Sequence, residues 1–204
     1  MQAAIVLAER GFRPILFERR AYLGGSAVLA SKAPCKGLVA EYIETQKNQL
    51  AALGVQVELN HAPTMAELRR LDPYGVFVTM GGQQIVPDIP GIDRENVFGI
   101  EDVLLGRRAI EGREVAVIGG GHVGLEVAHF LCANNKVTIV EMADEIGASV
   151  YYITKFKLLP LLREAGVTFR TGQAIAAVDD GSIRLRDTHT GQCTELKAEA
   201  VVLA

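Results

Sequence analysis

An α/β fold of two successive strand–helix–strand units, the first of them incomplete, is predicted by three features of the 204 residues. Residues 114–118 (EVAVI) are a continuous apolar run, as expected of a parallel strand buried on both faces, and a glycine turn and an apolar helix follow them. The order helix, strand ending in Glu, helix, strand occurs in both halves, an internal repeat of roughly 100 residues. Asp180–Gly181 and Thr190–Gly191 divide the last third into three alternating strands, a meander.

The elements follow in order. Residues 2–9 have helical apolar spacing, and 13–18 (RPILFE) form a short strand ending in Glu18. Leu23–Gly25 is a turn. Residues 38–53 form a helix that Gly54 ends, 55–60 alternate as a strand, and 64–70 form a short helix. Residues 76–80 (VFVTM) are expected as a buried strand closed by Gly81–Gly82. The proline-rich QQIVPDIPGIDRENV lacks periodicity and is expected as a linker, placing domains at 1–91 and 92–204. The pattern then restarts: strand 97–100, a helical turn, strand 114–119, a helix, strand 136–141, helix 151–164 and strand 167–172. The meander and the apolar strand 200–204 complete it.

Composition narrows the function. Hydrophobic residues are 49% and charged residues 22%, a balance that suits a folded α/β protein. The net charge of −3, with no basic block, argues against nucleic acid. No apolar run approaches the roughly 18 residues of a membrane span, and the start lacks the features of a secretory signal. Cytoplasmic residence is the expectation. Cys35, Cys132 and Cys193 are scattered, which opposes a redox disulfide or a metal cluster, and no metal set is expected from His61, His122, His129 and His189. No Ser/His/Asp or Cys/His constellation can be argued from spacing, so no catalytic residue is assigned.

Gly119, Gly121 and Gly124 make GxGxxG between an apolar strand and a helix, and Glu141 follows at the end of the next strand. One glycine permits the tight turn, one lets the backbone approach a pyrophosphate, and one lets helix pack on strand. The helix N-terminus then offers N–H groups and partial positive charge to phosphate. In this context the turn predicts a dinucleotide site of Gly119, Gly120, Gly121, His122, Val123 and Gly124. His122 is expected as a tolerated surface residue of the turn rather than a catalyst. Glu141 can accept both ribose hydroxyls and would repel a 2′-phosphate. Met142 and Ala143 supply no arginine, so NADH is favoured over NADPH. Glu18 stands at the equivalent strand end of the first copy, but the residues before it hold no glycine turn.

LFERRAYLGG, VPDIPGID, ENVFGIEDVLLG, VAVIGGGHVGLEVAHFL and AVVLA together resemble the flavoproteins with two Rossmann-like dinucleotide-binding domains. The nearest likeness is to the FAD/NAD(P)-binding half of the NADH:flavin oxidoreductase / 2,4-dienoyl-CoA reductase / trimethylamine dehydrogenase group. It covers essentially the whole chain. The resemblance implies that Glu18 is the FAD-ribose acid and that Gly24 and Gly25 form the turn packing on FAD. It places Gly81 at the family's "ATG" strand end, here Thr79-Met80-Gly81. It implies that the second glycine turn and Glu141 hold NAD(H), and that Glu126 is the acid near the nicotinamide amide.

Under the same resemblance Met1 corresponds to a residue just after a first glycine loop. The expectation is a fragment truncated at both ends: a nearly complete NAD(H)-binding domain, and an FAD domain without its first strand, its phosphate loop and its last segment. FAD binding by this chain alone is expected to be weak or nil. Three readings follow. The chain is a hydride-transferring module of an NADH oxidoreductase, a non-catalytic NAD(H)-binding remnant, or a subunit completed by a barrel-bearing partner. Exposed strand edges would make homo-oligomers plausible.

Overall fold

In the computed structural model, which describes residues 1–204, α1 (Gln2–Glu9) runs through a Gly11 turn into β1 (Ile15–Glu18). Then come α2 (Ser26–Ala30), α3 (Gly37–Ala52), β2 (Gln56–Leu59) and α4 (Met65–Leu71). β1 and β2 pair in parallel, Ile15 opposite Gln56 and Glu18 opposite Leu59. Their small core is Ala4, Ile5 and Leu50, with Leu16, Leu23 and Val55 against it. Buried Gln46 fastens α3 to α1 by donating to the Gln2 side chain at 2.7 Å. α4 opens with a reciprocal cap: Glu67 N donates to Thr64 Oγ1, and Thr64 N to the Glu67 carboxylate.

These elements form one compact unit, Met1–Gly82; Gln83–Ala204 form the other. The proline-rich stretch therefore is not a linker ahead of the second unit but part of it. Gln84 Nε2 donates to the Leu203 carbonyl, and Val178 N donates to Pro90 O at 2.9 Å. Gly91, at φ +81°, lies so close to β7 (Gln173–Val178) that a Cβ would sit 2.0 Å from Val178 O.

Residues 76–80 correct a second expectation. They form no strand, and Phe77, Val78 and Met80 are exposed at 67%, 69% and 82%. The second unit shows why. Its corresponding apolar strand, β10 (Ala200–Leu203), has a hydrogen-bonded neighbour on each edge. The sheet of the first unit holds only β1 and β2. A strand's N–H and C=O groups need partners, and sequence hydrophobicity alone supplies none.

The second unit contains β3 (Val97–Gly99), α5 (Ile100–Leu104), β4 (Glu114–Ile118), α6 (His122–Leu131), β5 (Lys136–Val140), α7 (Tyr152–Glu164) and β6 (Thr168–Arg170). β7, β8 (Ser182–Asp187) and β9 (Cys193–Lys197) make the expected antiparallel meander. The main sheet is parallel throughout, in the order β3-β10-β4-β5-β6. Val115, Val117, Leu125, Val127, Ile139 and Val202 are at most 2% exposed in its core. Burial of each such side chain contributes about 2 kcal/mol.

Candidate functional site

Parallel pairing creates the site. β4 and β5 are neighbours, with Ile118 opposite Val140, so the turn after β4 and the acid after β5 emerge side by side. Gly119 N donates to Val140 O at 2.8 Å. Glu141 is held at both oxygens: Gly120 N donates to Oε2 at 2.6 Å and Ala143 N to Oε1 at 2.8 Å. The strand-end carboxylate is thereby aimed at the glycine turn.

The glycines divide the predicted tasks. Gly119 adopts φ +112°, and a Cβ there would lie 2.6 Å from Ala204 O. Gly124 brings α6 so near the turn that a Cβ would lie 1.9 Å from Gly119 O. Gly120 faces Glu141 and Ile146, whose atoms would be 3.0 and 2.9 Å from its Cβ. Gly121 differs: an added Cβ meets nothing within 4 Å. The turn is therefore packed on its inner side and clear at Gly121, where α6 begins. The N–H groups of a helix's first turn have no partner within the helix and suit an anion. These features fit a dinucleotide pyrophosphate at the turn with the adenosine ribose beside Glu141.

His122 and Val123 lie in the first turn of α6, Val123 exposed. His122 Nε2 and Glu126 Oε1 are 2.6 Å apart, one helical turn along. Their i,i+4 spacing made this contact legible in the sequence. Ile146 and Gly147 gave no such signal. Gly147 N donates to Gly120 O at 2.9 Å, so the loop after β5 supports the glycine turn from outside.

The first unit reproduces part of this arrangement. Arg20 N donates to Glu18 Oε1 at 2.9 Å, the same two-residue pattern as Ala143 to Glu141. Gly24 packs on Val28 and Ile43, and Gly25 precedes α2 with open space at its Cβ position. Gly81, at φ +72°, lies beyond the unpaired 76–80 segment. Residues 1–82 hold no GxGxxG turn beside Glu18, and of the FAD-binding features they present the strand-end acid and the Gly24–Gly25 turn.

Residues 1–204 match the model of a family described as pyridine nucleotide-disulphide oxidoreductase. An NADH oxidase of Thermoanaerobacter brockii is 35% identical over 182 residues, which are 87% of this chain and 28% of that protein. A bilirubin reductase of Mediterraneibacter gnavus is 30% identical over 205 residues, 100% of this chain and 32% of that protein. A solved 2-naphthoyl-CoA reductase complex superposes with a TM-score of 0.87 at 26% identity, over 100% of this chain and 31% of that one. The chain thus spans about a third of the length of these relatives. No helix is long and apolar enough to cross a membrane.

Proposed function

From the premise that the chain belongs to the pyridine nucleotide-disulphide oxidoreductase family, whose cofactors are NAD(H) and FAD, we propose that residues 92–204 are an NAD(H)-binding domain. With FAD bound beside it, this domain would serve hydride transfer from NADH to FAD. The observation that carries the reading is the Gly120–Glu141 contact, which joins phosphate turn and ribose acid into one rigid cradle. Gly119, Gly121 and the start of α6 hold the pyrophosphate, and Glu141 accepts the ribose hydroxyls. Glu126, which His122 contacts from one turn earlier in α6, would be the acid near the nicotinamide amide. Bound NADH supplies a two-electron hydride, so the protein's part is binding, orientation and exclusion of side reactions.

The first unit, residues 1–82, is the partial FAD-binding domain, with Glu18, Gly24, Gly25 and Gly81 as its cofactor contacts. A non-catalytic NAD(H)-binding role for this chain by itself is favoured by the unpaired 76–80 segment, which leaves that domain short of a sheet. A barrel-bearing redox partner would receive the electrons, and a second copy would pair with the open edges of the β1–β2 sheet. Cytoplasmic residence suits both readings.

Equilibrium titration with NADH, followed by nicotinamide fluorescence, tests the reading. Saturable NADH binding is expected, with NADPH at least about tenfold weaker because Glu141 repels a 2′-phosphate. Absence of binding by either nucleotide would overturn it.

A further inference from the structure

The β8–β9 hairpin lies outside the glycine turn, yet its tip reaches the loop that carries Glu141. Three residues of that loop, Glu141, Ala143 and Asp144, are tied to it or to the adjoining β6–β7 turn. Gln173 N donates to Glu141 O at 3.1 Å, and Gly172 N to Ala143 O at 2.9 Å. His189 Nε2 lies 2.6 Å from Asp144 Oδ1, and Thr188 Oγ1, whose proton goes to Gly172 O, comes within 3.5 Å of Met142 O. The tip is itself well braced. Asp187 Oδ1 accepts from His189 N, Thr190 N and Thr190 Oγ1 at 3.0, 2.7 and 3.0 Å. Thr188 donates to Gly172 O through both N and Oγ1. On its far side the same loop supports the glycine turn through Gly147 N and Gly120 O.

We propose that His189, Asp144 and Thr188 are positioning residues of the adenosine-ribose subsite: the hairpin tip clamps loop 141–144 and so fixes the Glu141 carboxylate against the glycine turn. This rests on the NAD(H) reading above. The charged groups facing His189 are Asp144 from the loop after β5 and Asp187 from the end of β8; Gly172, Met142 and Thr188 carry none. Hydrogen bonding to Asp144 and its charge raise the His189 pKa above its ordinary 6.5 against desolvation, with a lesser contribution from the charge of Asp187. A raised pKa means that the clamp is closed in acid and opens as pH climbs through that value.

The test is the NADH dissociation constant of the full chain between about pH 6 and 9, compared between the wild type and His189 variants so that titration of the other histidines, His122 at the glycine turn among them, is common to all. The pair is exposed, so NADH should bind about threefold more weakly at the alkaline end. His189→Arg keeps a cation beside Asp144 and should bind tightly throughout. His189→Gln should bind weakly throughout, and Asp144→Asn should flatten the profile. Coincident profiles for wild type and His189→Gln would overturn the clamp. If NADH does not bind at all, the family-based reading of the site fails instead. Amide exchange of residues 142–144 without nucleotide then decides the clamp alone: it must quicken on the alkaline side in the wild type and not in His189→Arg, and equal rates in both would reject it.

Discussion

Gly121 and Gly124 are three positions apart in one turn and answer to different constraints. A methyl at Gly124 would overlap the Gly119 carbonyl, so α6 cannot keep its place against the turn. Gly124→Ala should lower the thermal midpoint of the second unit and abolish NADH binding. Gly121 has extended backbone at φ −75° and open space around it. Gly121→Ala should leave the thermal midpoint within about a degree and weaken NADH about tenfold, by standing between backbone and pyrophosphate. Equal losses of stability in the two variants, read by calorimetry, would refute the division. Glu141→Gln retains the side chain's shape while removing the charge. It should weaken NADH and narrow its preference over NADPH, measured as a ratio of dissociation constants.

At the scale of elements, the segment before β3 is fastened to the meander. Gly91 accepts the crowding because it has no Cβ and tolerates φ +81°. Gly91→Ala should destabilise the second unit by about 2–3 kcal/mol, a combination of clash and strained backbone. That corresponds to a thermal midpoint lower by roughly 5–10 °C, visible by calorimetry. An unchanged midpoint would show that residues 83–91 detach freely. In the first unit the cap of α4 holds the Glu67 carboxyl below its ordinary value, chiefly through the Thr64 backbone N–H and hydroxyl, with a smaller contribution from His61. A depressed carboxyl favours folding above its unfolded value and loses that contribution as pH falls through the lowered one. Acid should therefore fray α4, seen as a loss of amide protection there that Glu67→Gln no longer shows.

At the scale of the whole chain the two units are unequally furnished. The second has a five-stranded parallel sheet with a three-stranded meander, while the first has two strands. Limited proteolysis should cut first around residues 74–86, where Tyr74, Val78, Met80 and Ile85 are exposed and the backbone joins no strand. The protein should also emerge from desalting without flavin after incubation with FAD. A retained absorption band near the usual ~450 nm of bound flavin would show that the first unit holds FAD despite lacking a glycine turn.

The glycine turn and its strand-end acid were legible because their signals are local. An apolar strand, three glycines at fixed spacing and a strand-end acid each constrain their own backbone, and parallel pairing of β4 with β5 brings them together. Helix α1, helix α3 and the meander likewise followed from periodicity and turn residues. What depended on partners distant in the chain was not legible. Residues 76–80 have the hydrophobicity of a strand, but their state depends on edges that other strands must offer. The proline-rich stretch has the composition of a linker, yet Pro90 and Gly91 meet Val178 only after the meander folds. His189 and Asp144 are 45 positions apart and carry no shared motif. The sequence by itself determined the turn, the acid and the helices that hold them. The tertiary structure alone decided which strand finds a neighbour and which hairpin meets the loop after Glu141, because hydrogen-bond partners across a sheet and contacts between loops are set by topology rather than by local pattern.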